Sequence, residues 1–194
     1  MDAAVRPRAL VPIADGTEEI EAVGIIDVLR RAGVEVVVAG VGPAGIPATS
    51  LTVTASRGVR LVADTTLEAV AAQEFDAIVL PGGLPGAGHL RDSDTLKTLL
   101  AAQDAAGRLV AAICAAPVVV LQAHGLLRGR GATCFPGLRE QLDPASRRYG
   151  RVVSDGNLLT SQGPGTALAF ALAIVAHLCG RVRRDEVAAQ LLVD

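Results

Sequence analysis

Short apolar runs rich in β-branched residues alternate along this chain with segments of helical periodicity, and this alternation strongly constrains the fold. Strands are predicted at 8–14, 34–40, 76–80 and 109–113, and helices at 18–32, 94–106, 115–125, 166–178 and 185–192. Because these strands are apolar along their length, both of their faces must be covered. The pattern therefore predicts an α/β fold, with a mostly parallel sheet between two layers of helices.

Three further segments lie outside the strict alternation. Residues 52–55 with 59–62 predict one small hairpin, and residues 152–153 with 158–160 predict another around the Asp155-Gly156 turn. The segment 42–48 has the composition of a loop.

Composition excludes several classes of protein. The chain has 194 residues, 51% hydrophobic and 20% charged, with a net charge of −2, so it can bury a core and is not disordered. We expect one domain over residues 1–194. A near-neutral charge gives no basic field for a stable nucleic-acid complex, and four aromatic residues make no base-stacking platform.

Cysteine usage and the chain's start bear on compartment and cofactors. The three cysteines, Cys114, Cys134 and Cys179, form no CxxC pair, and no His, Cys and carboxylate cluster has ligand spacing, so we expect no metal and no cofactor. The first eight residues lack the apolar core of a secretion signal, and no stretch is a bilayer span. These features favour a cytoplasmic protein without membrane contact.

The segment LVAAICAAP at 109–117 carries the strongest chemical signal. A buried strand ends at Cys114 and a helix is predicted to follow at once, which is the geometry of a nucleophile elbow with cysteine in place of serine. A helix N-terminus there is expected to lower the pKa of the Cys114 thiol. The alternative interpretation is a small, buried and inert cysteine.

Acidic residues open the first predicted helix, in the sequence GTEEIE at 16–21. At 3.6 residues per turn, Glu18 and Glu21 begin the stripe that faces the core, whereas Glu19 falls on the solvent side. An inward carboxyl group needs a partner or a proton, so we expect a raised pKa for Glu21. The alternative is that all three merely favour the positive end of the helix.

Gly82 and Gly83 follow the predicted strand 76–80, where freed backbone N–H groups can bind an oxyanion. An ordinary turn explains the same residues, and the spacing matches no nucleotide-binding fingerprint. The histidines His89, His124 and His177 complete no catalytic triad by sequence, and His89 is assigned to a loop.

Together these segments resemble the ThiJ/PfpI superfamily, in the branch of the parkinsonism-associated protein deglycase and its bacterial chaperone-like relatives. The resemblance covers about residues 8–192 and includes GTEEIE at 16–21, RRAG at 30–33, SR at 56–57, VLPGG at 79–83, AAICAAP at 111–117 and LTSQGPGT at 159–166. It implies a flavodoxin-like three-layer sandwich with a cysteine nucleophile elbow, and a homodimer whose site lies near the subunit interface.

The resemblance also implies roles for single residues. Cys114 matches the family's nucleophile, Glu21 the carboxyl group that hydrogen-bonds its sulfur, and Gly83 and Ala115 the oxyanion donors. Glu18 and Arg57 match residues expected to meet across the dimer interface, and Pro164 matches a residue lining the partner's pocket.

Two positions depart from the family pattern. Phe135 stands where human-type members carry a pocket histidine, and Gln162 stands where many relatives have arginine. The first departure argues against a histidine-assisted proton transfer. Ala115 after the cysteine argues against the protease-like subgroup, which has a Cys-His pair.

The expected function is cofactor-independent glyoxalase or deglycase chemistry at Cys114. The substrates would be methylglyoxal, glyoxal or their early adducts with proteins and nucleotides, and the products lactate or glycolate. Two alternatives stay open. The first is a redox-sensing chaperone or oxidative-stress protein that uses oxidation of the same cysteine, and the second is a small-molecule hydratase or hydrolase of the superfamily.

Overall fold

The computed structural model describes residues 6–43 and 46–193. The expectation that no secretion signal is present depends on residues 1–8, and most of these lie outside the described ranges. Residues 44–45 of the predicted loop 42–48 also lie outside them.

Within residues 6–43 and 46–193, nine strands form one large sheet and one hairpin. In chain order they are β1 (Arg8–Ile13), β2 (Glu35–Gly40), β3 (Thr52–Thr54), β4 (Arg60–Val62), β5 (Thr65–Thr66), β6 (Ala77–Leu80), β7 (Leu109–Ile113), β8 (Val152–Asp155) and β9 (Leu158–Ser161). The large sheet has the order β5-β2-β1-β6-β7-β9-β8 and is parallel except for the β8–β9 pair, while β3 and β4 pair separately.

Helices cover both faces of the sheet. They are α1 (Glu19–Arg31), α2 (Gly86–Asp92), α3 (Asp94–Ala105), α4 (Ala167–Cys179) and α5 (Arg181–Leu191), with a π-helical segment at Pro117–Gln122 and short 3-10 turns at Glu68–Val70, Pro136–Gln141 and Pro164–Thr166. Because side chains alternate along a strand, β1 sends Val11 into the core shared with α1, α4 and α5, and Leu10 into the core shared with α2 and α3. The flavodoxin-like three-layer α/β fold predicted from sequence is confirmed.

The predicted strands and both hairpins are present, with β9 also pairing in parallel with β7. Three details of the sequence prediction are wrong. His89 lies on α2 rather than in a loop, the segment after Cys114 forms a π-helical turn rather than an α-helix, and the last helix starts at Arg181 instead of Asp185. Helix α2 escaped prediction because it contains Gly86 and Gly88, and glycine disfavours helices.

Close packing against a neighbouring loop explains why position 86 is a glycine. A Cβ atom at this position would lie 2.5 Å from the backbone nitrogen of Thr17, so only glycine lets α2 approach the loop that precedes α1.

Across the described ranges, none of the helices combines the length and the apolar character that crossing a bilayer requires.

Candidate active site

Cys114 lies immediately after β7, at the carboxyl edge of the sheet, in a strained backbone conformation. Its φ of 64° is in the left-handed region, which a residue with a side chain rarely adopts. Two backbone hydrogen bonds hold it there: its N–H donates to the carbonyl of Ser161 at 3.0 Å, and its carbonyl accepts from the N–H of Phe135 at 2.8 Å. The sharp turn expected of a nucleophile elbow is therefore present, with a half-buried thiol at its tip.

Glu21 lies behind this turn on α1 and is fully buried. Its Oε2 accepts the N–H of Gly82 at 2.8 Å, which ties the carboxyl group to the loop after β6. Its Oε1 is buried and has no hydrogen-bond partner among the residues described. The inward orientation predicted from the helical periodicity is confirmed.

The two glycines after β6 are required by close contacts. A Cβ at Gly82 would lie 2.6 Å from the Cβ of Cys114 and 2.9 Å from Oε2 of Glu21. Gly83 has a φ of +90°, and a Cβ there would lie 2.4 Å from the backbone nitrogen of Glu18. Small residues at both positions therefore let the carboxyl group, the thiol and the α1 N-terminus meet.

Backbone N–H groups also affect the pKa of the thiol. Those of Gly83 and Ala115 face the thiol and act to lower its pKa by favouring the thiolate. These are the two residues to which the family resemblance assigns the role of oxyanion donors.

Burial raises the pKa of Glu21 to about 7, against the lowering effect of the Gly82 hydrogen bond. The raised value predicted for this carboxyl group is confirmed. A carboxyl group with this pKa takes up and releases a proton near neutral pH, as a general acid or base must.

The thiol behaves differently from the prediction. Burial, followed by the facing charge of Glu21, raises the pKa of Cys114 to about 12, so the predicted lowering by a helix dipole is wrong. The following segment is a turn and a π-helix rather than a regular α-helix, and desolvation dominates. Since the charge of Glu21 contributes to this rise, the thiolate is favoured when Glu21 carries the proton.

The residues around the α1 N-terminus also differ from expectation. Glu18 is half-buried and caps α1, its Oε2 accepting the N–H of Glu21 at 2.8 Å. Glu19, assigned to the solvent side, is buried, and it accepts hydrogen bonds from the Ser56 hydroxyl and the Arg57 N–H, each at 2.7 Å. Glu19 therefore fixes the backbone turn that presents the exposed Arg57 side chain.

A cavity of about 370 Å³ opens above the thiol. It is lined by Glu18, Ser56, Arg57, Gly83, Leu84, Cys114, Ala115, Phe135, Leu138 and Pro164. Pro164, which the resemblance assigned to the partner's pocket, lines the cavity of its own chain. Glu21 and Gly82 are not among these lining residues. Sequence reasoning missed Leu84 and Leu138, because isolated leucines in turns carry no pattern that marks a site.

Other reactive side chains lie elsewhere. None of the three histidines lines the cavity, Cys134 is fully buried in the core, and the side-chain amide of Gln162 donates to backbone carbonyls of Tyr149 and Gly150. A larger cavity of about 540 Å³, between Gln122 and Arg147, contains no cysteine or histidine. In the ranges 6–43 and 46–193, no three His, Cys, Asp or Glu side chains are grouped to hold a metal ion.

The fold and this site define a class: α/β proteins with a cysteine at a strained turn after a central strand. The model of the DJ-1/PfpI family matches residues 7–177. The crystal structure "Toxoplasma gondii DJ-1, oxidized" superposes with a TM-score of 0.92 and 45% identity, over 96% of this chain and 98% of that one. The chain belongs to the DJ-1/PfpI family, in its DJ-1 branch.

Two curated relatives are informative. Protein DJ-1 homolog B of Arabidopsis thaliana is 49% identical over 96% of this chain but only 41% of its own length, so this chain spans less than half of that relative. A Caenorhabditis elegans relative named glutathione-independent glyoxalase DJR-1.2 is 38% identical, over 88% of this chain and 87% of its own length.

Proposed function

We propose that this protein is a cysteine-dependent glyoxalase or deglycase that acts on methylglyoxal, glyoxal or their early adducts and needs no cofactor. The observation that carries the proposal is the arrangement around Cys114: a thiol at a strained turn, the buried Glu21 carboxyl group behind it, and two N–H groups at its sulfur. The C. elegans relative, whose name states glutathione-independent glyoxalase activity, supports the same chemistry.

The proposed reaction begins with the pair holding one proton, on Glu21. The Cys114 thiolate attacks the aldehyde carbon of methylglyoxal, a C–S bond forms, and the carbonyl electron pair moves to oxygen. The N–H groups of Gly83 and Ala115 stabilise this oxyanion. Glu21 then donates its proton to the oxyanion, which gives a neutral hemithioacetal and a carboxylate.

Isomerisation follows with the same atoms. The Glu21 carboxylate, whose Oε1 has no other partner among the described residues, removes the proton from the former aldehyde carbon. It returns that proton to the neighbouring carbon while the hydroxyl proton moves from the first oxygen to the second, and the enediolate becomes a thioester of lactate. Water then cleaves the C–S bond, releases lactate and restores the thiol, so one methylglyoxal and one water give one lactic acid.

The experiment is lactate formation from methylglyoxal by purified protein without glutathione. Replacing Cys114 by Ala removes the nucleophile and is expected to lower kcat/KM by at least about 10³-fold. The matched control is Cys179→Ala at the end of α4, which should stay within about twofold of wild type because no bond is made there. Lactate formation that survives Cys114→Ala would refute the proposal.

A redox-sensing chaperone is the second candidate, because the same contacts suit oxidised sulfur. The two N–H groups and a protonated Glu21 can donate hydrogen bonds to a sulfinate on Cys114. Mild peroxide is then expected to oxidise Cys114 before the fully buried Cys134 and before Cys179, as read by peptide mass spectrometry. Suppression of aggregation that survives Cys114→Ala, without lactate formation by the wild type, would favour a surface-mediated chaperone.

We also propose a homodimer as the working form. Helices α1 and α4 pack together, and their outer face carries the exposed side chains of Ile20, Val23 and Leu168, here called the α1–α4 patch. Gly24 lies within it, beside Ala167 and Leu168, so no side chain at this position would hinder the close approach of a second copy.

A further inference from the structure

We propose that Phe135 makes the Cys114 cavity selective for α-oxoaldehydes that carry a bulky apolar group, an aryl or branched alkyl substituent, over methylglyoxal. This inference rests on the proposed glyoxalase function, and it names the substrate class that the pocket fits.

The exposure of Phe135 is the first observation. The chain has three phenylalanines, of which Phe75 is 2% exposed and Phe170 is 0% exposed, whereas Phe135 is 45% exposed. Leaving a phenyl ring in water forgoes burial worth about 25 cal/mol per Å². The exposed ring stands on the wall of the cavity above the nucleophile, where a bound ligand can cover it.

The ring is held in a fixed relation to the nucleophile. The N–H of Phe135 donates to the carbonyl of Cys114 at 2.8 Å, so the two backbones move together. A Cβ at Gly137 would lie 2.9 Å from the ring, and one at Gly163 would lie 3.6 Å from it. Glycines on these two sides make room for the ring, so its position beside the cavity is defined.

Most of the other side chains around the thiol are also apolar. Leu84 is 59% exposed, and Leu138, Pro164 and Ala115 complete an apolar surface around the thiol. Charged groups of the cavity are confined to Glu18 and Arg57, and one carboxylate oxygen of Glu18 is already used to cap α1. A substrate whose aldehyde carbon lies at the sulfur would thus project its substituent along apolar walls.

Size supports the same conclusion. Methylglyoxal is much smaller than a cavity of about 370 Å³ and would leave the Phe135 ring in contact with water. A phenyl group in its place can pack edge-to-face or offset against that ring, an arrangement that adds to plain burial.

The first test compares kcat/KM for phenylglyoxal, measured as mandelate, with kcat/KM for methylglyoxal, measured as lactate. We expect the wild type to favour phenylglyoxal by at least about tenfold. Phe135→Ala should lower this ratio about tenfold, chiefly through the KM for phenylglyoxal, and Phe135→Leu should retain part of the preference. Val182→Ala, at an exposed position of α5, is the control and should leave the ratio unchanged.

A second test does not depend on turnover. Iodoacetanilide and iodoacetamide alkylate thiols by the same displacement of iodide and differ by a phenyl group. The ratio of their rates at Cys114, divided by the ratio for free cysteine, reports the preference of the pocket. We expect a value of about ten in the wild type that approaches one in Phe135→Ala.

The two tests separate the two proposals. If both enzymatic rates are measurable but the ratio is one, or is unaffected by Phe135→Ala, the selectivity is wrong and the glyoxalase function stands. If no substrate turns over while the labelling preference holds and disappears in Phe135→Ala, the function is wrong and the apolar selectivity of the pocket stands. A wild-type labelling ratio equal to that of free cysteine overturns the selectivity directly.

Discussion

At the scale of single residues, the Cys114 thiol and the Glu21 carboxyl group titrate as one pair. Glu21 has a pKa of about 7, and its charge is one cause of the thiol's pKa of about 12. The pair therefore loses its first proton near pH 7 and its second only at much higher pH. In the proposed reaction, the remaining proton lies on Glu21 and the negative charge on sulfur.

Glu21→Gln tests the proton transfer. The amide oxygen can still accept the N–H of Gly82, so the fold should persist, but an amide cannot carry protons between carbons. Turnover of methylglyoxal is expected to fall by at least about 10²-fold. In the wild type, the rate of Cys114 alkylation should rise through about pH 7, and this inflection should be absent from the variant. Turnover at the wild-type rate in the variant would show that Glu21 only stabilises the first turn of α1.

The same substitution predicts a pH-dependent stability difference. Burial raises the pKa of Glu21 from 4.5 to about 7, so the favourable contribution of its protonated form is complete below pH 4.5 and is lost as the pH rises through 7. Between pH 4 and pH 8, the wild type should therefore lose up to about 3 kcal/mol of its free energy of unfolding, and Glu21→Gln should not show this loss. Urea unfolding at the two pH values measures the difference, and an equal difference at both would contradict the raised pKa.

At the scale of elements, the site depends on how closely the loop after β6 approaches Cys114. Gly82→Ala places a Cβ 2.6 Å from that of Cys114 and 2.9 Å from Glu21 Oε2, so the loop must move away. We expect a loss of stability of about 1–3 kcal/mol and a loss of most activity, measured by urea unfolding and lactate formation. The control is Gly88→Ala in α2, where nothing lies within 4 Å and stability should rise slightly. Normal activity of Gly82→Ala would contradict the close-packed arrangement.

Elements that follow local rules could be predicted from the sequence. The central strands β6 and β7, and β1 after Arg8, are buried on both faces and therefore apolar, and Glu21 shares its helix face with core residues. The rest depends on contacts between distant segments. Glu19 is buried because the turn at Ser56 and Arg57 packs over it, 37 and 38 residues away. The thiol pKa depends on the surrounding burial, which no local pattern encodes.

At the scale of the whole molecule, the fold brings the site together from segments that are far apart in the sequence. The neighbours of β1 are β2 on one side and β6 on the other, and a ligand crevice in an open α/β sheet forms outside the carboxyl ends of such strands. The loops after β6 and β7 meet the N-terminus of α1 and the turn at Phe135 there. Under the proposed function, the fold of the family supplies the nucleophile and the carboxyl group, whereas the residue at position 135 adapts the wall to the substrate.

The proposed homodimer makes the last prediction, which concerns the α1–α4 patch. An aspartate in place of Val23, a residue 48% exposed on α1, leaves the core untouched but puts a charge where the second copy would pack. We expect light scattering at micromolar concentration to report a dimer for the wild type and mostly monomer for Val23→Asp, with an unchanged circular dichroism spectrum. Val182→Asp, the same change at a position 75% exposed on α5, should remain dimeric. Arg57→Ala, which removes a guanidinium expected to meet the partner's Glu18, should weaken the dimer or the site without unfolding the monomer. A monomeric wild type, or a dimer unaffected by Val23→Asp, would exclude this interface.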